Sequence, residues 1–547
     1  MRSTSILPFS LALSMGLSAC GGGGGGNSEP EVLTGYFSDS TVKGLHYQTA
    51  SQQGNTDETG AFQYLAGETI TFSIGDVVIG STVTAKPEMT PLDLVPGAKI
   101  YTTMPELIRA YFIKGDERDA WFEFTNTLIF LQTLDADGNP DNGINILPAT
   151  ANAFSGAKIS FHQAPDVFAS NHALTKITYQ LAADKSLTTG NAVPAGWALD
   201  HFYQTQAIDT DFKVPGKIET DTNGDGTIDS ITDYFFDSAG RIYQYAYDND
   251  ADGIINSYSI YNYQSKDLVH SSQRIYQQGG TSDTSTLREY DDTGKLVAVL
   301  RDSDDDGQFD SITTYKYNSN SQVFSYILDS DGDNVADRIT NYQYDANENL
   351  SVRLDDNDAD DQYDRVIRYT YDENGNRLSL RIDYGDDGTV DLARYYEYDS
   401  FGNLILQQTD EDGDGTIDSV YEKTFDEKGN LLSRTEDQDN DGQTDWSRVY
   451  SYTEAGLISK TTTDSDGDGT PDELTQYVYN DKGENTEIRT DMDGDGNIDE
   501  ITVNTFDDSG NLIEEKKDND NDGIFDSAKK YTLTQQNWVA AWSRVLD

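Results

Sequence analysis

From residue 221 almost to the C-terminus the chain repeats itself every 27 residues with no change of phase. Loops of the form D-x-D-x-D-G-x-x-D begin at Asp221, Asp248, Asp302, Asp329, Asp356, Asp383, Asp410, Asp437, Asp464, Asp491 and Asp518. Every interval is 27 residues or, across one decayed copy at 275, twice that. A fixed period on this scale specifies an array of small units stabilised by their neighbours, not a chain collapsed around one conventional core.

Each unit has two halves. The first places oxygen-bearing side chains at loop positions 1, 3, 5 and 9. These candidate metal ligands are Asp221, Asn223, Asp225 and Asp229, then Asp248, Asp250, Asp252 and Asn256, then Asp302, Asp304, Asp306 and Asp310. The series continues with Asp329, Asp331, Asp333 and Asp337, with Asp356, Asp358, Asp360 and Asp364, and with Asp383, Asp387 and Asp391, where Gly385 replaces one ligand. It ends with Asp410, Asp412, Asp414 and Asp418, Asp437, Asp439, Asp441 and Asp445, Asp464, Asp466, Asp468 and Asp472, Asp491, Asp493, Asp495 and Asp499, and Asp518, Asp520, Asp522 and Asp526. Oxygen ligands alternating along a turn, with glycine at position 6 for the bend, suit a hard cation such as calcium.

Asp, Asn and Gly also make good metal-free turns, and magnitudes decide between the readings. Four carboxylates roughly 4 Å apart form six like-charge pairs at about 1 kcal/mol each in water, on the order of 6 kcal/mol per empty loop. A folded segment of this length retains only about 1.4 to 4 kcal/mol of net stability. Eight loops keep all four aspartates, which makes sense if a cation neutralises them. The loop resembles the first half of an EF-hand, but Tyr421 stands where a bidentate Glu is needed. It is more similar to the short aspartate loops of thrombospondin type 3 repeats, in which the last Asp closes the site.

The second half of the unit reads as a β-hairpin. Pairs such as Tyr315/Tyr317, Tyr342/Tyr344, Tyr369/Tyr371 and Tyr396/Tyr398 put two rings on one strand face. A DxxGN-type turn follows, as in Asp426 to Asn430, and Leu350, Leu404, Leu431 or Leu512 opens the return strand. This Y-D-x-x-G-N-L half resembles the YD repeats of RHS-type proteins over roughly residues 221 to 533, which implies a long coiled β-sheet. The expected fold class is mainly β, with an antiparallel meander that carries the aspartate loops on one edge and the hairpin turns on the other. At about two strands per unit the sheet would run on the order of 100 Å and coil. A stacked tyrosine column either glues such a sheet or offers a carbohydrate platform.

The N-terminus has another character. Arg2, the apolar run Ile6 to Leu17, and Leu17-Ser18-Ala19-Cys20 are similar to a bacterial lipoprotein signal peptide. The resemblance implies that Cys20 is lipidated, that residues 1–20 are the signal, and that 21–30 form a glycine-rich tether to the outer membrane. Residues 31–100 carry short glycine-separated strand patterns, and the stretch 54 to 80 resembles transthyretin-like and carboxypeptidase-regulatory-like β-sandwiches. Residues 101–207 switch to helical spacing, with helices expected over Met104 to Ile113, Trp121 to Leu134, Asp166 to Leu181 and Gly196 to Gln204. Between two of them Asp135, Asp137, Asn139 and Asp141 form a candidate further calcium loop or an Asx-rich turn. The array is expected over 208–533, followed by a C-terminal tail, 534–547.

With 97 acidic against 38 basic residues the formal charge is −59, which excludes nucleic acid as a natural partner and favours divalent cations. A single cysteine allows no intrachain disulfide, so metal takes the place of a staple. The five histidines His46, His162, His172, His201 and His270 show no metal-ligand spacing, and no nucleophile elbow or phosphate loop appears. Carboxylates repeated in every unit mark structure, whereas catalysis needs one unique site, so no enzyme is expected. The sequence therefore points to a calcium-binding, calcium-stiffened surface lipoprotein, adhesin-like or structural, whose partner is a surface protein or glycan. Its rivals are a carbohydrate-binding or glycan-processing protein and an RHS-like shell.

Overall fold

The computed structural model describes residues 30–266, 268–277 and 283–546, so Cys20 and its signal and tether lie outside the described residues. The protein is mainly β. Its repeat region forms one closed sheet of 24 antiparallel strands, from Phe212–Asp221 to Ser527–Gln536. The outgoing strand Ser419–Phe425 and return strand Leu431–Asp437 are typical, seven residues each. Between them Asp426 holds the turn: its Oδ1 accepts the N–H groups of Lys428 and Asn430, and its Oδ2 accepts Asn430 Nδ2 at 2.8 Å. A register shift follows, where Phe425 meets Leu431.

The open coil expected from the meander is replaced by a ring. Ile218 on the first strand stands opposite Tyr531 on the last, and Thr220 opposite Lys529. The reason lies in the phase of the repeat. Within a unit Tyr234 stands opposite Tyr245, and Ile218 and Tyr531 occupy the corresponding return and outgoing positions. The first strand thus completes the hairpin unit that the last strand begins, and neither edge is left unpaired. Twenty-four strands at about 4.8 Å give a circumference on the order of 115 Å.

The head, residues 30 to about 211, covers the hairpin mouth of this ring. It contains a three-stranded sheet (Ala61–Leu65, Val32–Phe37, Glu88–Met89) and a four-stranded one (Gln53–Asn55, His46–Gln48, Thr69–Ile74, Val77–Thr84). Helices Met104–Phe112 and Ala195–Thr205 lie where helical spacing is expected, while Asp116–Thr133 begins well before the expected Trp121. The helix expected over 166 to 181 is two, Pro165–Ala169 and His172–Ala183, because Asn171 caps the second by accepting the Ala173 N–H. Sheets and helices share one core, in which Phe37, Phe72, Trp121 and Phe202 are buried together with Trp538 and Trp542. Trp538 and Trp542 lie on a last helix, Trp538–Leu546, within the expected C-terminal tail; Trp538 packs 4.5 Å from Phe212, ring centre to ring centre.

Contacts to turns all round the ring show that the head spans its mouth. Asn537 Nδ2 donates to Ala239 O, Gly190 N to Thr293 O, and Lys114 Nζ to Gly429 O. His172 and Lys176 meet Glu348, Arg109 lies over Gly483, and Pro105 over Gly510. The face of the sheet beneath the head is therefore the inner one. It is the tyrosine face, since Arg544 of the last helix sits 4.4 Å over the Tyr234 ring. The other face, with Lys316, Arg368, Glu397 and Glu422, is exposed.

Candidate metal centres

The aspartate loops stand on the mouth opposite the head. In the loop at 410 the return strand ends on Asp410, whose Oδ2 accepts the Gly415 N–H at 3.0 Å. Position 5 caps the next turn: Asp414 accepts the Thr416 N–H at 2.7 Å, and the Thr416 hydroxyl holds its carboxyl below the usual range. Position 9 closes the loop, Asp418 Oδ2 accepting the Glu411 N–H at 2.6 Å. Where position 2 is Ser or Thr the hydroxyl joins in, and Thr222, Ser303, Ser330 and Ser465 lower the pKa of Asp229, Asp310, Asp337 and Asp472.

The loops bring the expected ligands together. Carboxylate oxygens of Asp248, Asp250 and Asp252 lie within 4.8 Å of one another, as do those of Asp302, Asp304 and Asp306, of Asp329, Asp331 and Asp333, and of Asp356, Asp358 and Asp360. In the 410 loop the cluster is Asp410, Asp412 and Asp418. In each of these the position-1 residue is buried and the outer ones are more exposed. Asp248, Asp410 and Asp491 are only 2%, 3% and 4% exposed, yet Oδ1 of each has no hydrogen-bond partner. A buried carboxylate oxygen without a donor is costly unless a cation satisfies it, so these groups are positioned to hold a metal ion. The 383 loop has three carboxylates where the complete loops have four, because Gly385 offers no side chain and donates its N–H to Asp364 O.

Two features of the loops escaped sequence reasoning. Position 9 is a turn closer as much as a candidate ligand: Asn256 accepts the Asn249 N–H in the same way, and Asp283 accepts the Tyr276 N–H in the copy whose sequence has lost the other aspartates. Loops also touch their neighbours. A Cβ on Gly413, whose φ is +72°, would lie 1.6 Å from Val390 O, and Asn440 Nδ2 donates to Ile417 O at 2.8 Å. Gly224 makes the same approach to Phe525 O, so the loop rim closes where the sheet closes.

The loop at 134 to 144 is built differently. Asp135 is buried; its Oδ1 accepts the Asn145 N–H, its Oδ2 has no partner, and burial pushes its pKa up to about 6. Asp137 accepts from the Asn139 N–H and Asn142 Nδ2, while Asp141 leaves the group to meet His201 Nδ1 at 3.1 Å. Of the four candidates, Asp135 and Asp137 come together, Asn139 opens a 3-10 turn, and Asp141 is engaged elsewhere.

No protein-family model matches the chain, and no curated protein does. Among solved structures it is similar to the toxin complex TcdB2-TccC3-TEV at 14% identity, over 57% of this chain and 18% of that one, with a TM-score of 0.26. The Photorhabdus luminescens Tc holotoxin pore gives 14% identity over 53% of this chain and 20% of that one, TM-score 0.22. A porin-like protein from Bacteroides uniformis gives 12% identity over 58% and 98%, TM-score 0.15. This chain thus spans about a fifth of the length of the toxin chains. TM-scores this low carry no argument about function.

Proposed function

We propose that the protein is a calcium-binding lipoprotein of the bacterial outer surface, anchored through Cys20, in which calcium stiffens the loop rim of a closed β-ring. Its role is that of an adhesin-like or structural binding module without enzymatic activity. The observation that carries the calcium reading is the buried, partnerless Oδ1 of Asp248 and Asp410, each beside further carboxylates. Ligand sets made only of oxygen, repeated around a rim, favour calcium over softer metals. Filling the loops also removes the mutual repulsion of adjacent loops in a chain of charge −59.

Calorimetry in millimolar calcium and in EDTA tests this. Sites of extracellular type bind at about 0.1 to 1 mM, so the melting temperature should rise with calcium concentration in that range and respond much less to magnesium. An identical melting curve in calcium and EDTA would sink the reading. Fractionation tests the anchor: Cys20→Ser should leave the outer-membrane fraction, and continued sedimentation with membranes would refute lipidation.

The ring itself suits the surface and not the bilayer interior. Its typical strands are seven residues, against the about 9 to 11 a bilayer requires. Its outer face also carries Lys316, Arg368, Glu397, Glu422 and Lys530, and a lipid-facing Arg or Lys at the midplane costs about 2 to 4 kcal/mol. A second reading, a shell around a passenger, is favoured by ring closure and by the head across one mouth. Projection images with internal density would support it.

A further inference from the structure

The copy at 275–301 and the residue just before it depart from the array in three ways at once. The copy has lost the aspartate loop. Arg288 occupies the position held by Tyr261 and Tyr315 in the flanking copies. On the adjoining strands Arg274 and Arg301 stand where Tyr247 and Leu328 stand in the neighbouring units. Register puts all three arginines on the inner face: Arg274 is opposite Ser259, Arg288 opposite Val299, and Arg301 opposite Thr286. They lie on three consecutive strands, Leu268–Tyr276, Thr284–Tyr290 and Leu296–Asp302, so the outer two are on the order of 10 Å apart.

Several other inner-face arginines are neutralised. Arg353 and Arg365 meet Asp355, Arg434 meets Glu436, and Arg448 meets Glu473. Arg274, Arg288 and Arg301 have no carboxylate partner among the described residues; Arg288 reaches Ser272 Oγ at 3.5 Å, and Arg274 lies over the Tyr276 ring. Three cations without a carboxylate partner on one face of three consecutive strands stand out in a chain that otherwise has acid to spare. Aromatic pairs flank them, Tyr245 with Tyr261 on one side and Tyr315 with Tyr326 on the other. Arg274 and Arg301 stand at the loop end of their strands, away from the head.

We infer that this arginine cluster is a binding site for an extended anionic polysaccharide. Guanidinium forks take carboxylate or sulfate groups bidentately, and the flanking tyrosine faces offer flat apolar surface for sugar rings. A neutral glycan would leave the arginines unpaired, and a compact anion would leave the rings unused. The site does not rest on calcium binding, because this copy has no aspartate loop.

The full chain in detergent, held in millimolar calcium, is titrated with a sulfated heparin-type oligosaccharide, an oligogalacturonate, neutral dextran and polyphosphate. One of the two acidic glycans should bind, which separates sulfate from carboxylate, and dextran should not. Joint replacement R274Q/R288Q/R301Q should weaken that binding at least about tenfold, while Arg368→Gln on the outer face leaves it unchanged. Arg288→Lys, which keeps the charge and loses the fork, should fall between. A triple variant that keeps its melting temperature and binds like wild type overturns the site. Polyphosphate binding as tightly as either glycan overturns the polysaccharide assignment, as does failure of both glycans to bind. Failure of the calcium reading would show in melting, not in these titrations.

Discussion

Ile218, on the first strand of the ring, stands directly opposite Tyr531 on the last. Opposite residues in an antiparallel pair have Cα atoms about 4.5 to 5.5 Å apart, within the span a disulfide bridges. In a Cys20→Ser background, which removes the only natural cysteine, the pair Ile218→Cys and Tyr531→Cys should cross-link on mild oxidation. Non-reducing electrophoresis reads the compacted band. Ile218→Cys with Tyr477→Cys, a pair on separate units, should not form it. Equal behaviour of the two pairs would mean that the seam is open.

Within a loop, positions 1 and 9 should respond differently to loss of charge. Asp410 is buried with a partnerless Oδ1, whereas Asp418 accepts the Glu411 N–H, a bond that Asn256 makes in a natural copy. Asp410→Asn should lower the calcium stoichiometry by one site. Asp418→Asn should retain most of the binding. Titration calorimetry separates the two, and equal losses would show that position 9 is a ligand before it is a turn closer.

The local parts of this fold could be read from residue order, and the long-range parts could not. Asp426-x-x-Gly429-Asn430 predicts its turn because one side chain satisfies the backbone within five residues, and Tyr-x-Tyr predicts its strand by alternation. Closure pairs Thr220 with Lys529, and a repeat with one register leaves the number of units in a ring undetermined. The phase of residues 212–221 was nevertheless visible, since Ile218 sits 27 residues before Tyr245. The head docks through unlike contacts, Lys114 on Gly429 O and Asn191 on Gly294 O, which have no periodic signature. The candidate ligands are visible by spacing; that Asp410 is buried and Asp412 exposed depends on how the strand end meets the loop.

Glu348 shows how the head is latched. It occupies a turn position that is glycine in most copies, with φ at +68°, and receives His172, Lys176 and Asn320. A left-handed non-glycine residue costs on the order of 1 kcal/mol or more, which these partners offset. Glu348→Ala keeps the backbone cost and loses the partners. Hydrogen exchange should therefore quicken in the helix His172–Ala183, while the strands on either side of the turn stay protected. Unchanged exchange in that helix would place the latch elsewhere.

The alkaline limit of the ring should be set by its tyrosines. The hydroxyls of Tyr317, Tyr344 and Tyr479 donate to Leu296 O, Val323 O and Ile458 O, each tying one hairpin to the one before it. Burial pushes the pKa of Tyr317 up to about 12, and does the same for Tyr179 on the head helix His172–Ala183 and Tyr531 at the seam. A free tyrosine titrates near pH 10, so the folded state holds these protons more tightly than the unfolded chain. The sign follows: the stabilisation is fully present below about pH 10 and is lost as pH rises through about 12. Urea midpoints in calcium should stay level up to about pH 10 and then fall steeply, with tyrosinate absorbance appearing alongside unfolding. Lysine deprotonation occurs over the same range, and Tyr317→Phe separates the two. It removes one inter-hairpin bond, lowering stability by about 1 kcal/mol at pH 8, and that deficit should shrink as pH approaches 12 because the lost hydroxyl can no longer ionise. A deficit that stays constant from pH 8 to pH 12 would mean that the Tyr317 proton contributes nothing to holding neighbouring hairpins together.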